Sequence, residues 1–294
     1  VGLVGSEMCI RDRALAEGRN EEAAAEALEA MLSERSASSS VMLEGLRSLT
    51  RHMETSAAPR AVAAALHHSN SSSVQLEALD LAEPFALVEP VHSALRDILR
   101  PGSVSSSVKL KAIKVLGRRV SEREVRALIS VAIDHSNSSS VQLAAIEVLE
   151  NAADEPDTRQ LLFAGLDRRG SSSVVLASVG ALEAYTSSDR QVREQFIGVM
   201  EQRQISSSAR VRTAEALVPG ADNALKRRIV VAMEDVCERR WEQWRRNRKR
   251  FRDDTIRDAI DVVRQIDPDN AREMEQKYGR PSSLLQRIFR PNEP

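Results

Sequence analysis

The residues in this chain that could do chemistry are its histidines, serines and carboxylates, and their spacing argues against catalysis. His68 and His135 occupy the same column of an internal repeat, two repeats apart. Packed helices are layered about 10 Å apart, so these imidazoles are expected roughly 20 Å from each other and do not share a metal. The serines have no general base at a fixed spacing, and Asp253 and Asp254 are typical of a helix start.

The sequence motifs of known catalytic and cofactor sites are absent. The chain has no glycine-rich phosphate loop, no G-x-S-x-G elbow, no H-E-x-x-H pair and no closely spaced cysteine pair. Its two cysteines, Cys9 and Cys237, imply no disulfide framework. We therefore predict a protein that is not an enzyme, with no catalytic residues, no metal site and no cofactor.

A basic segment, residues 237–252, offers a different chemistry. It contains eight Arg or Lys residues against Glu238 and Glu242, a net charge of +6. Arginines together with tryptophans suit nucleic acid, because basic side chains bind phosphate and aromatic rings stack on bases. The alternative is a long structural helix whose tryptophans pack on the protein while its arginines face solvent. The predicted polyanion-binding residues are Trp241, Trp244, Arg245, Arg246, Arg248, Lys249, Arg250 and Arg252.

The composition as a whole is that of a helical protein. Of the 294 residues, 42% are hydrophobic and 29% charged, and the net charge of −1 argues against a chain that coats nucleic acid along its whole length. Aromatic residues make up only 3%, which favours helices packed through Ala, Leu and Val over a β-sandwich or barrel. No apolar run in the visible chain reaches the length that spans a bilayer.

The elements that must position these residues follow from an internal repeat. Aligned on the residue after each serine run, the chain repeats at spacings of 33, 34, 33, 33 and 35 residues. Apolar residues recur two, five and eight positions after each aligned residue, and small residues recur four positions after it. This pattern predicts a helix with a broad buried stripe, and the fixed period predicts a solenoid. The aligned residues are Val41, Val74, Val108, Val141, Val174 and Ala209.

The serine triplets are predicted to begin these helices. A serine oxygen just before a helix accepts a hydrogen bond from a backbone N–H that has no partner within the helix. Ser72 with Gln75, and Ser139 with Gln142, have the spacing of a capping box. Another helix is predicted between the serine runs, so that each repeat is a helix pair. Examples of these first helices are 89–100, 121–135 and 157–169.

The second helix of each pair resembles those of short bacterial HEAT-like repeats, whose loose pattern is D-x-x-V-R-x-x-A. Serine replaces the aspartate here, valine matches at Val74, Val108 and Val141, and Arg210 matches the arginine. The resemblance covers residues 14–266 and implies an all-α fold, a right-handed α–α superhelix of about seven helix-pair repeats. HEAT-like repeats serve many partners. Some are lyases or DNA glycosylases, so an accessory enzyme of that kind is the weakest alternative.

The N-terminal residues depart from the repeat. Residues 1–13 resemble the translation of a sequencing adapter, and we expect them to be non-native. Leu15 falls in the eighth-position column of an upstream repeat. We therefore expect the chain to be truncated at its N-terminus, upstream of residue 14.

The C-terminal part is predicted to hold an insertion and a cap. At 253–263 the D-x-x-V-R pattern returns with Ile256 and Arg257, 13 residues later than a normal repeat requires. The extra residues fall at 237–253, where a continuous first helix would be longer by roughly 20 Å. Residues 267–294 are predicted to cover the open end of the stack. A docking helix for another protein is the alternative for the last of these residues.

The positions one, three and six after each aligned residue are predicted to face away from the core, on the concave side of a HEAT-like array. We call these positions the concave column. In the fifth repeat the column turns apolar, and lysines flank this patch, which is typical of a partner-binding surface. Short side chains that tolerate exposure, or cover by another subunit, would give the same pattern. The predicted binding residues are Lys109, Lys111, Lys114, Gln142, Ala144, Val175, Ala177, Gly180, Arg210 and Arg212.

The sequence therefore favours a protein-interaction scaffold or adaptor, in a bacterial cytoplasm, that binds a protein partner through the concave column. Nucleic acid or another polyanion bound by residues 237–252 is the alternative.

Overall fold

The computed structural model describes residues 20–34, 37–167, 169–247 and 254–278. Within these residues every regular element is a helix, and consecutive helices pack against one another, so the predicted all-α class is confirmed. The chain divides into two compact units, Val1–Leu161 and Leu162–Pro294, and each is described by itself.

In the described part of the first unit, helices alternate between two rows. The helices that follow the serine runs contact one another in sequence, and the first helices α3, α5 and α7 do the same. Each of these first helices also packs on the second helix of its own pair. The helices are α1 (20–33), α2 (Ser39–Leu49), α3 (Ala58–Leu66), α4 (Ser72–Ala82), α5 (Val91–Leu99), α6 (Ser106–Gly117), α7 (Arg123–Ser130) and α8 (Ser139–Glu150), and α9 (Pro156–Leu162) runs across the unit boundary.

The second unit continues the same pairing. Its helices are α10 (Ser172–Leu182), α11 (Arg190–Glu201), α12 (Ser207–Leu217), α13 (Asn223–Asn247), α14 (Asp254–Ile266) and α15 (Pro268–Tyr278). One row is α10, α12 and α14, and α11 and α13 belong to the other. The last helix, α15, packs on α13 and α14, with Ala271, Met274 and Tyr278 buried. The predicted tail, 282–294, lies outside the described residues.

The serine runs begin helices, as predicted, and the first serine of each triplet is the N-cap residue. The hydroxyls of Ser38, Ser171 and Ser206 accept the backbone N–H three residues on, each at 3.4 Å. The predicted capping boxes are wrong, because Gln75 and Gln142 donate to carbonyls near the preceding helix instead of turning back to their own helix start. The six N-cap residues are Ser38, Ser71, Ser105, Ser138, Ser171 and Ser206.

In the first unit the serine hydroxyls also join neighbouring helix starts. Pairs of Oγ atoms from successive repeats lie 3.0 to 3.3 Å apart, within hydrogen-bonding distance. The serine runs are therefore joints between packed helices. The pairs are Ser39 with Ser71, Ser72 with Ser105, and Ser106 with Ser138.

The core follows most of the predicted columns. From Val74 onward, the aligned residue and those four, five and eight positions later are buried in every repeat. The position two after the aligned residue is only half-buried in most repeats, and Leu110 there is 36% exposed. A helix turns about 100° per residue, so position two lies about 200° from the aligned residue, at the edge of the stripe. Position two was therefore wrongly included in the core.

The extra residues before α14 lengthen a first helix. Helix α13 has 25 residues where α11 has 12, and its described part ends at Asn247. The D-x-x-V-R pattern in α14 suggests that Arg257 corresponds to Arg210 of α12, but the two arginines lie in different environments. Arg257 is 60% exposed and pairs with Asp254 and Asp258, whereas Arg210 in α12 is buried.

Candidate functional site

The first position of the predicted concave column does not lie at a surface. Lys109, Gln142, Val175 and Arg210 are each at most 4% exposed, and Gln75 in the same position is 1% exposed. The prediction that this position faces away from the core is wrong. These side chains are therefore not surface contacts for a partner.

The polar residues at this position hold the two helices of a pair together. Gln75 Nε2 donates to the His67 carbonyl at 3.0 Å, and Gln142 Nε2 donates to the Asp134 carbonyl at 2.8 Å. Each of these carbonyls ends the first helix of the pair or follows it, where helical carbonyls lack partners. Position one is thus a buried C-terminal capping position.

Lys109 caps a carbonyl at the end of its preceding helix in the same way, with a charged side chain. Its Nζ donates to the Arg100 carbonyl and, at 2.6 Å, to Asn137 Oδ1 of the next repeat. Asn137 in turn donates to the carbonyls of Leu99 and Ala132. Burial lowers the pKa of Lys109, and the charge of Asp134 opposes that shift. Lys109 therefore joins two adjacent repeats and is not free for a ligand.

Arg210 is the capping residue at position one of α12 in the second unit, and it also forms a buried ion pair. Its side chain is 2% exposed, donates to the Met200 carbonyl at 2.7 Å and contacts Asp235 Oδ2 at 2.8 Å. The other oxygen of Asp235 binds the exposed Arg203 at 2.7 Å. Arg210 thus fixes α12 against both α11 and the middle of α13.

The remaining charged residues of the concave column lie nearer the surface, but most are paired. Lys111 is half-buried and contacts Asp80 of the preceding repeat at 2.5 Å, while Lys114 is exposed. Arg212 is exposed and contacts Glu183 at 2.7 Å. These ion pairs between successive repeats balance much of the predicted basic character.

The apolar part of the concave column is smaller than predicted. With Val175 buried, what remains near the surface is Ala144 and Ala177, both half-buried, and the exposed Gly180. Gly180 faces open space, since an added Cβ there would meet nothing within 4 Å. Small side chains that tolerate exposure account for this pattern.

A groove does lie beside one predicted residue, Arg212. It runs between α12 and α14 of the second unit and encloses about 400 Å³. Val211 and Val262, both nearly buried, contribute aliphatic surface to its lining. The polar lining residues are Ser208, Arg212, Glu215, Thr255, Asp258, Asp261 and Gln265.

The α14 side of this groove was missed by the sequence analysis, which used α14 only to set the register. The signal was present, because Thr255, Asp258, Val262 and Gln265 recur at spacings of three and four residues and so share one face of a helix. The spacing does not show that this face lies opposite Arg212, because that depends on how α12 and α14 pack.

The basic segment is partly described by the structure. Trp241 is half-buried, and Arg245 and Arg246 are exposed on α13. Trp244 belongs to the same helix. The other predicted polyanion-binding residues, Arg248, Lys249, Arg250 and Arg252, lie outside the described residues.

The described residues also bear on metal binding and on membrane insertion. Among the residues that the structure describes, no group of three or more His, Cys, Asp or Glu side chains is placed to hold a metal ion. In the same part of the chain, no helix is both long and apolar enough to cross a membrane.

No protein-family model matches this chain, and neither does any curated protein or any solved structure. Its function is therefore inferred from its own residues.

Proposed function

We propose that this protein is an interaction scaffold built of HEAT-like helix pairs, and that it holds a basic polypeptide segment of a partner in the groove between α12 and α14. The groove itself supports this proposal most directly. It lies between second helices of successive repeats, where stacked repeats present binding surfaces.

The chemistry of the lining favours a segment that carries lysine or arginine. Among the described lining residues, three are carboxylates, those of Glu215, Asp258 and Asp261, and Arg212 is the one cation. The aliphatic surface of Val211 and Val262 suits the methylene stem of such a side chain, whose charged end can reach the carboxylates.

The carboxylates already have arginine neighbours, and these pairs are exchangeable. Glu215 contacts Arg212 at 3.1 Å, and Asp258 contacts Arg257 at 3.6 Å, both with exposed partners. Exposed ion pairs contribute only about 0–1 kcal/mol. A cation of a partner can therefore replace these arginines at little cost.

A peptide-display selection tests this function. Peptides enriched on the protein are expected to carry Lys or Arg, and binding should be lost in the double variant Asp258→Lys, Asp261→Lys. Asp269→Lys with Glu273→Lys is the matched control, because it makes the same charge change at two exposed acidic residues of α15 outside the groove. Enriched peptides without basic residues, or equal binding to the groove variant, would refute the proposal.

A further inference from the structure

The second unit also contains a basic cleft, whose charge is opposite to that of the acidic groove between α12 and α14. It lies between the C-terminal half of α13 and the loop that leads into α12, and it encloses about 530 Å³. Among the residues that the structure describes, four arginines line it and Glu242 is the one carboxylate in the lining. The arginines are Arg203, Arg239, Arg240 and Arg246.

The ion pairs around this cleft leave it with an excess of positive charge. Arg203 contacts Asp235, and Arg246 contacts Glu242 at 3.7 Å with both side chains exposed. Arg239 donates to the Arg203 carbonyl at 2.5 Å, and this neutral acceptor does not balance the charge of the guanidinium group. Among the described residues of the cleft, guanidinium groups therefore outnumber carboxylates.

The spacing of the arginines suits a ligand with repeated negative groups. Arg239 and Arg246 are seven residues apart on one helix, which places them about 10 Å from each other along the axis. Guanidinium groups bind phosphate oxygens through paired hydrogen bonds. Serine hydroxyls and glutamine amides, which Ser206, Ser207 and Gln243 contribute to the lining, also contact phosphate and sugar in nucleic-acid complexes.

We infer that this cleft binds the phosphodiester backbone of single-stranded nucleic acid. Its volume falls within the range of about 300–1,000 Å³ that encloses a small ligand, so it admits a short stretch of one strand and not a duplex. The described side chains that line the cleft are charged, polar or aliphatic, and none of them is aromatic. Recognition therefore rests on charge, is independent of base sequence and weakens with salt.

The test is a fluorescence-anisotropy titration with labelled single-stranded DNA and RNA at several salt concentrations. The double variant Arg239→Glu, Arg246→Glu is expected to bind about a hundredfold more weakly, because each charge-assisted contact contributes about tenfold. Its affinity should also depend less on salt. The matched control is Arg227→Glu with Arg272→Glu, which makes the same charge change at exposed sites outside the cleft and should bind as the wild type does.

Two further ligands sharpen the test. Duplex DNA should bind more weakly than the single strand, and tighter binding of the duplex would overturn the assignment. Inorganic polyphosphate carries the same kind of charge and should compete with the single strand for the cleft, so a failure to compete would also overturn it. The assignment would also fail if the cleft variant bound the oligonucleotide as well as the control variant did. Both variants change exposed side chains, and circular dichroism will show whether each retains its helices.

Discussion

Lys109 is a charged residue at a buried position where two other repeats carry glutamine. Its Nζ lies within hydrogen-bonding distance of Asn137 Oδ1, and its pKa is lowered by burial. Between the folded-state pKa and the unfolded value of 10.5, the unfolded chain binds more protons at this site than the folded protein does. Raising the pH through that window therefore stabilises the folded state, and the effect levels off above 10.5.

The variant Lys109→Gln isolates this effect, because Gln75 and Gln142 show that glutamine fits the position. Urea unfolding of both proteins through the alkaline range should give a wild-type stability that rises relative to the variant as the pH approaches 10.5. All other ionisable groups are the same in the two proteins, so their contribution cancels. A constant difference in unfolding free energy would show that Lys109 has an ordinary pKa.

Asp235 is predicted to be the most sensitive carboxylate of the second unit. Asp235→Asn would leave the buried guanidinium of Arg210 without its counter-charge, and breaking a buried ion pair costs about 3–5 kcal/mol. Chemical denaturation measures this loss. In the control, Glu194→Gln breaks the exposed pair with Arg190, which should cost at most about 0.5 kcal/mol. Similar losses in the two variants would contradict the role assigned to Arg210.

The burial of position one could have been predicted from the repeat itself. The core positions zero, four, five and eight fall at about 0°, 40°, 140° and 80° around a helix, so position one, at about 100°, lies inside the stripe. Polar residues at 75, 109, 142 and 210 suggested a surface. The helical angle was the better guide, because the unpaired carbonyls of the neighbouring helix attract a polar donor into the core.

At the level of helices, the capping serines give a direct test of how α10 begins. Ser171 accepts the Val174 N–H at 3.4 Å, whereas Ser172 is exposed and one residue inside the helix. Ser171→Ala is therefore expected to lower the unfolding free energy by about 0.5–2 kcal/mol. Ser172→Ala should leave it nearly unchanged. The opposite order in thermal or urea unfolding would mean that the cap is misassigned.

Helix existence was easier to predict than the contacts between helices. The continuous α13 follows from the length of its repeat, since the extra residues contain no glycine or proline that would end a helix. The basic cleft could not be predicted from the sequence in this way. Arg203 and Arg239 are 36 residues apart in sequence and meet only after α12 and α13 have packed. Contacts between residues that are distant in sequence depend on tertiary packing, which the local sequence pattern does not predict.

At the scale of the whole molecule, the sequence predicted an all-α chain of packed helix pairs but misplaced its surfaces. The buried columns and helix starts agree with the structure because both depend on local periodicity. The binding column agrees less well, because ion pairs such as those of Lys111 with Asp80 and Arg212 with Glu183 form between repeats. In the second unit, the two candidate surfaces are an acidic groove and a basic cleft, and we expect them to take different ligands.

Amide chemical-shift mapping of the ¹⁵N-labelled protein with a selected basic peptide tests the central functional claim most directly. The proposal predicts saturable shifts that are largest along α12 and α14, at residues such as Arg212 and Asp258, and small at Arg239 and Arg246 of the basic cleft. Saturable shifts centred anywhere other than α12 and α14, or no saturable shift at all, would contradict it.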